Sequence, residues 1–391
     1  PDGTLPNALA TVDPNRLDET YPFREICGAA LIYKVMMCLY MEMNEPLDYV
    51  YSMVDIVGMA TIGDVMPLRE ENRLFVKEAV KQINRNPRYA FQVLKEQIGK
   101  TTIDEGTFGF QFVPMVNAIG RLNGTIDEAV ELFLATDPEK VKELATFLIE
   151  TNQKRKDITK EQELLAIDMV ESRGVEPVIV LANDGFHEGI VGLVAGRIKE
   201  KYNRPTIVLT KTKSGVWKGS GRSIEGFSLI DNLHIVKDTL HHFGGHDMAC
   251  GVGVEEEQID GFRQAMIERA EETLTEEDFI PKVTVDVFIQ PNEVTEKLID
   301  ELEQLKPFGT KFETPNIAVK DFEVERFFTM GKNKDHLKLV NPSLSIIMWN
   351  GVDFYNSIQQ PRNVQAIGMP SLNHFNGKTT AQLIVSGELM K

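Results

Sequence analysis

The chain has 391 residues, 42% hydrophobic and 26% charged, with a formal net charge of −17. At roughly 150 residues per domain, that length suits a soluble globular protein of two or three domains. The acidic balance counts against a protein that coats nucleic acid passively, and three widely spaced cysteines, Cys27, Cys38 and Cys250, exclude a disulfide scaffold or a cysteine-only zinc site.

The opening Pro1-Asp2-Gly3-Thr4 lacks the basic and apolar parts of a secretory signal, and a first residue other than Met marks the chain as processed, trimmed or a fragment. Ile26 to Tyr40 is the longest apolar run; Lys34 interrupts it and it is shorter than a bilayer span, so it reads as a buried helix and no membrane partner is expected. Cysteine usage fits a reducing, cytoplasmic setting. Helices are expected over Glu25 to Met41, Tyr49 to Gly63 and Glu71 to Asn84. Asp137-Pro138 is a helix start, an N-cap acid with Pro at N1, and the pattern runs to Ser172-Arg173-Gly174. So long and polar a helix, about 50 Å, suits an interdomain strut.

From Glu176 the pattern becomes α/β. Strands at Pro177 to Leu181 and Thr206 to Leu209 alternate with helices whose faces carry Ile190, Val194 and Ile198, then Leu229 to Leu240 and Glu257 to Leu274. Acidic Glu276-Glu277-Asp278 marks a boundary. The remainder is mainly strands, at Val283 to Gln290, Phe322 to Phe328, His336 to Val340, Leu344 to Trp349, Val364 to Gly368 and Thr380 to Val385, with one helix at Glu293 to Leu305. Asn350-Gly351 and Asn376-Gly377 are hairpin signals, and a small oligonucleotide-binding (OB) barrel fits the count. The expected division is 1–136, 137–174, 175–275 and 276–391.

Several short motifs carry chemistry. Between Arg197 and Arg222 stand eight basic residues against the single acid Glu200, a positive island that would steer a polyanion, or a solvated surface clustered by chance. Gly219-Ser220-Gly221-Arg222-Ser223 supplies hydroxyls and a guanidinium suited to a terminal phosphate, or else a hairpin with an exposed Arg. Gly244-Gly245-His246 lets the backbone approach a ligand while the imidazole points at it, or is a turn with a satisfied histidine. His187-Glu188-Gly189 opens a helix and offers free N–H groups to an anion, or simply caps it. Asp64 ends an apolar helix as a metal ligand or a cap; Asp55, nine residues earlier, faces away from it.

Together the motifs resemble the RecJ-type exonucleases of the DHH phosphoesterase superfamily. Tyr21-Pro22-Phe23 with Gly28, Gly58 to Leu68 and Glu71-Asn72-Arg73 come first. Gly109-Phe110-Gln111, Asn117 to Leu122, His187 to Gly192, Gly219 to Phe227, Phe243 to Gly251 and Leu305 to Gly309 follow in the same order. The resemblance implies an α/β multidomain fold: the helical remainder of a DHH phosphoesterase lobe, an α/β DHH-associated domain and a C-terminal OB-like β-barrel. It implies that Asp64 is a metal ligand, that Ser220 and Arg222 hold the substrate's 5′ phosphate, and that His246 is catalytic. His187, Gly244, Gly245, Asn117 and Arg121 would line the substrate cleft. Met115 stands where many members have Arg, and Asp13 where Asn is usual.

The implied activity is single-stranded-DNA-specific 5′→3′ exonuclease cleavage with two Mn²⁺ or Mg²⁺ ions. Most of their ligands, including the Asp-His-His motif, are expected upstream of residue 1, so this chain alone is expected to be inactive or nearly so. Single-stranded DNA is the expected partner, with a single-strand-binding protein or a helicase as candidate protein partners. Phe327, Phe328, Trp349 and Phe375 are candidates for base stacking. Alternatives are a DHH phosphoesterase acting on short oligonucleotides, and a non-catalytic single-strand-binding or replication scaffold.

Overall fold

The computed structural model describes residues 6–213, 215–375 and 377–390. The helices up to the first strand are α1 (Gly28–Glu42), α2 (Asp48–Tyr51), α3 (Val54–Gly63), α4 (Glu70–Arg85), α5 (Tyr89–Gln97), α6 (Glu105–Thr107), α7 (Val113–Asn123), α8 (Asp127–Leu134) and α9 (Pro138–Arg173). The α/β part contains β1 (Ile179–Ala182), α10 (Val191–Tyr202), β2 (Thr206–Lys211), β3 (Trp217–Arg222), α11 (Leu229–Ile235), β4 (His242–His246), β5 (Ala249–Val254) and α12 (Ile259–Thr273). Then come β6 (Val287–Ile289), α13 (Glu296–Glu303), β7 (Ile317–Glu323), β8 (Arg326–Met330), β9 (His336–Val340), β10 (Ser345–Met348), α14 (Val352–Ser357), β11 (Asn363–Phe375) and β12 (Lys378–Met390). Among the described residues no helix is long and apolar enough to cross a membrane.

The chain packs as two compact units, one of Pro1–Asn86, Thr102–Gly109 and Lys282–Lys391, the other of Pro87–Thr101 and Phe110–Pro281. Neither unit is continuous in sequence.

In the second unit a five-stranded sheet runs β1-β2-β3-β5-β4, with β1 and β2 parallel and joined through α10. Successive residues of β1 feed opposite cores, which is why the strand reads as an unbroken apolar run. Val178 and Val180 join Ile207, Leu229, Phe262 and Met266 on one face. Ile179 and Leu181 join Val208, Val194, Ile198 and the α9 residues Ala166 and Val170 on the other.

Helix α9 begins as expected: the Asp137 side chain accepts from the Glu139 N–H at 3.1 Å, and Pro138 stands at N1. Both ends of the helix lie in one unit, and Val141, Leu144, Ala145, Leu148, Ala166 and Val170 are buried along its length. The polar look comes from positions that do structural work: buried Gln162 donates to the Gly185 carbonyl and accepts the His187 N–H.

In the first unit, α3 packs on α4 so closely that a Cβ on Gly58 would lie 2.2 Å from Ala79 Cβ. The α3–α4 turn is tied to the segment after α13. Leu68 N–H donates to the Thr310 carbonyl at 2.7 Å, and Arg73 donates to the carbonyls of Leu305, Lys306 and Pro307 while lying over the Phe312 ring. Helix α1 is not buried all round; Ala30 and Tyr33 are inside, whereas Ile32, Val35 and Leu39 are exposed. The helix expected over Tyr49 to Gly63 is broken into α2 and α3.

The sheet of this unit runs β6-β7-β11-β12-β10-β9-β8 around a core of Val319, Phe322, Leu337, Leu339, Ile346, Val364 and Leu383. Three expectations change here. The run Phe322 to Phe328 is two strands, β7 and β8, and β11 and β12 are each 13 residues long. Asn350-Gly351 leads into α14 rather than a hairpin, because Gly351 lies against Met348 and the chain turns helical at Val352. Of the second signal, Asn376 lies outside the described residues; β11 and β12 pair up to Phe375 and Lys378.

Candidate nucleic-acid end site

Strand β3 places Lys218, Ser220 and Arg222 on one face by its two-residue period. The glycines between them are required by packing on the other face, not by a flexible loop. A Cβ on Gly219 would meet Val208 O and Leu209 Cδ2 at 2.5 Å, and one on Gly221 would meet Cys250 Sγ at 2.5 Å. Ser220 Oγ donates to the Cys250 carbonyl at 3.1 Å and accepts from Arg222 Nη1 at 3.4 Å; Arg222 Nη1 also donates to the Gly221 carbonyl at 2.7 Å.

The first turn of α10 closes on this pair. A Cβ on Gly192 would stand 3.2 Å from Ser220 Oγ and 3.3 Å from Arg222 Nη2, so glycine is what lets the helix start approach them. Just before it, His187 Nδ1 accepts from the Gly189 N–H at 3.1 Å, a local cap. Gly189 lies against the backbone of Arg121, where a Cβ would fall 1.9 Å from the Arg121 carbonyl oxygen. Arg121 Nη1 reaches back toward the Gly189 carbonyl at 3.5 Å. Asn117 stands one turn earlier on the same face of α7.

These residues border an open cleft of about 830 Å³, whose lining includes Asn117, Arg121, Gly192, Ser220, Arg222, His242 and Gly244. Among the described residues neither Arg121 nor Arg222 is paired with a carboxylate. Burial pushes the Arg121 guanidinium down from its ordinary value, and the charge of Arg222 pushes it further. Arg155 on α9, which donates to the buried Asn152 side chain, is lowered by burial and by the charges of Arg121 and Arg197. Guanidiniums stay charged through such shifts, so Arg121 and Arg222 keep the cleft cationic, while Glu188 on its lining is engaged by Lys218.

Five of the expected site residues therefore come together: Asn117, Arg121, Ser220, Arg222 and Gly244. His187, Gly245 and His246 do not line the cleft. Gly245 and His246 belong to β4, where Gly245 has φ +148° and a Cβ there would meet the Ala249 carbonyl at 2.4 Å, so that glycine serves the β4–β5 pairing; His246 is exposed at the strand end. The sequence reading missed His242 and Gly192. The alternation of His242, Gly244 and His246 was the signal for a strand, and the glycines hid it.

The basic island does not form one free patch. Acids from outside its window pair with it: Lys211 with Glu256 at 2.6 Å, Lys218 with Glu188 at 3.4 Å and Lys201 with Glu171 at 4.0 Å. Arg204 lies over the Phe279 ring. Asp64, in the other unit, is the exposed C-cap of α3, whereas Asp55 is fully buried. Among the described residues no three His, Cys, Asp or Glu side chains are grouped to hold a metal ion, so these residues do not by themselves fit a two-ion centre.

Residues 176–272 match the DHHA1 domain model and residues 285–387 the RecJ OB domain model. The chain is 33% identical over 393 residues to the single-stranded-DNA-specific exonuclease RecJ of Bacillus subtilis, covering 98% of this chain and 49% of that relative. The chain is thus similar to RecJ exonucleases over nearly its whole length. The Haemophilus influenzae member is 28% identical over 98% of this chain and 71% of its own length. A crystal structure of Thermus thermophilus RecJ in complex with Mg²⁺ shares the fold, with TM-score 0.82 at 24% identity, over 95% of this chain and 57% of that one. A RecJ structure bound to manganese aligns with TM-score 0.56 at 26% identity, over 65% and 64%. The chain thus spans about half the length of its Bacillus relative.

Proposed function

We propose that the cleft holds the 5′-phosphorylated end of single-stranded DNA, as the strand-gripping part of a 5′→3′ exonuclease. The observation that carries this is Arg222 and Arg121, free of carboxylates, beside a serine hydroxyl at a helix start. A terminal phosphate monoester brings nearly two negative charges and three acceptor oxygens, which that donor set matches better than a chain-internal diester. The Bacillus relative's name supports single-stranded DNA as substrate, and the relatives solved with Mg²⁺ or Mn²⁺ support a metal-dependent reaction.

Asp64 remains our candidate ligand; its partners would not be drawn from the described residues. The matches at 176–272 and 285–387 support reading 175–275 and 276–391 as the DHH-associated and OB modules. Partly exposed Phe327, Phe328 and Trp349 are offered as stacking positions of the latter; the Phe375 side chain lies outside the described residues. An OB module favours a long strand over a dinucleotide as the substrate. Three free thiols support a cytoplasmic setting.

Fluorescence anisotropy with 5′-phosphorylated and 5′-hydroxyl oligonucleotides tests the reading. The phosphorylated end should bind more tightly, and Arg222→Ala should remove most of that preference. A charge-assisted hydrogen bond contributes about 1.5–3 kcal/mol, or roughly tenfold to more than a hundredfold in affinity. An unchanged preference in Arg222→Ala would refute the assignment.

A further inference from the structure

We infer that His242 is an additional contact to the terminal phosphate, made only when its imidazole is protonated, with His241 holding its inner nitrogen. The inference rests on the phosphate-end reading above and names a residue to which that reading gives no role.

His242 opens β4 on the wall of the cleft that Ser220 and Arg222 also line; through Gly253 of β5 it stands in register with Lys218, and Gly244 with Ser220. Its ring is seated rather than loose. In the β4–β5 register it opposes Gly253, where a Cβ would lie 2.2 Å from the imidazole Cε1, so the missing side chain on β5 is the seat. His242 Nδ1 lies 3.1 Å from His241 Nδ1, with the two rings edge to face. His241 is held by its N–H on the Gly253 carbonyl at 2.8 Å, and its Nε2 is 3.9 Å from Glu255 Oε1.

Two ring nitrogens at that distance share one proton: one must donate and the other accept. With the His241 proton on Nε2, toward Glu255, its Nδ1 is an acceptor, and His242 donates from Nδ1. That fixes what the outer nitrogen of His242 does. In neutral His242, Nε2 is a bare lone pair that repels phosphate oxygens. Protonation puts an N–H and a positive charge at the same atom, and the Nδ1 bond to His241 is kept.

The charged groups around this dyad are Lys218 and Arg222 on β3, Glu188 paired with Lys218, and Arg121 on α7. Glu255 follows β5, and Lys237 and Asp238 lie on the turn before β4. His234 on α11 meets the neighbouring Phe243 ring edge-on. A bound phosphate adds negative charge on the cleft side of His242, while Glu255 acts on the far side of His241.

The test is the affinity of this chain for a 5′-phosphorylated oligonucleotide from about pH 5.5 to 8.5, for wild type and His242→Ala. The phosphate's own second ionisation, near pH 6, cancels in the ratio of the two proteins. The ratio should be about tenfold or more at the acid end and fall toward one at the alkaline end, as expected for loss of a charge-assisted bond. His242→Lys should keep tight binding at the alkaline end. His241→Ala should move the fall to lower pH by removing the acceptor on Nδ1. A ratio that is flat across the range, or equally large with a 5′-hydroxyl oligonucleotide, overturns the inference. Loss of the wild-type preference for the phosphorylated end at every pH would instead sink the underlying reading.

Discussion

At the scale of single residues, the site depends on where a side chain is missing. Gly192→Val places carbon atoms within contact of Ser220 Oγ and Arg222 Nη2, which can be displaced only away from the helix start. It should lower the preference for a phosphorylated end in anisotropy while leaving the urea midpoint nearly unchanged. Gly189→Ala is a different kind of change, because the obstacle is the rigid Arg121 backbone. Overpacking of this sort costs about 1–3 kcal/mol, so its urea midpoint should fall; a neutral result would contradict the packing described. Cys250 gives a pH prediction. Burial pushes its thiol up to about 11, although Arg222 pulls the other way. The thiolate is therefore scarce at pH 8, and iodoacetamide should label exposed Cys38 long before Cys250. The same shift makes folding favour the protonated thiol, so its contribution is intact below the ordinary cysteine range and lost as pH rises toward 11. The sequence singles out Ser220 and Arg222 because a hydroxyl and a guanidinium close together suit a phosphate; that they share one face of a strand is visible only in the fold. The packing needs of Gly219, Gly221 and Gly245 are not legible in the sequence, since a glycine's role depends on the atom opposite it, which no local pattern records.

At the scale of elements, α9 decides the frame of the cleft. Its first half packs with α5, α7 and α8, its second half with β1 and α10. One helix therefore fixes both Arg121 on α7 and the α10 start beside Ser220. Leu148→Ala, at a fully buried position in the first half, should cost about 2–5 kcal/mol in chemical denaturation. A loss below about 1 kcal/mol would mean that α9 is peripheral. Both ends of this helix could be read from its caps, Asp137-Pro138 and Gly174, because caps are local chemistry. Its role could not, because the buried faces of its two halves belong to different neighbours. The strands β11 and β12 were read too short for a related reason: Pro370, Gly368 and polar positions such as Ser371 and Asn373 break the local pattern but are tolerated where the pairing is long.

At the scale of the whole molecule, an acidic chain of net charge −17 pairs Arg197, Lys201, Lys211 and Lys218 of its basic island with its own carboxylates and leaves Arg121 and Arg222 without them. Binding should therefore be local rather than a diffuse attraction. For single strands each neutralised phosphate contributes about 0.7 to the slope of log affinity against log salt, so two arginines predict a slope of about 1.4, far below that of a coating protein. Because no three donors are grouped to hold a metal among the described residues, EDTA should leave binding of the phosphorylated end by this chain unchanged. A chelator-sensitive affinity would show that an ion bridges protein and phosphate. The central claim is tested most directly by the crystal structure of this chain with a short 5′-phosphorylated single strand. The terminal phosphate should lie within hydrogen-bonding distance of Ser220 Oγ and the Arg222 guanidinium. A strand bound elsewhere, with those two groups contacting only protein, would contradict it.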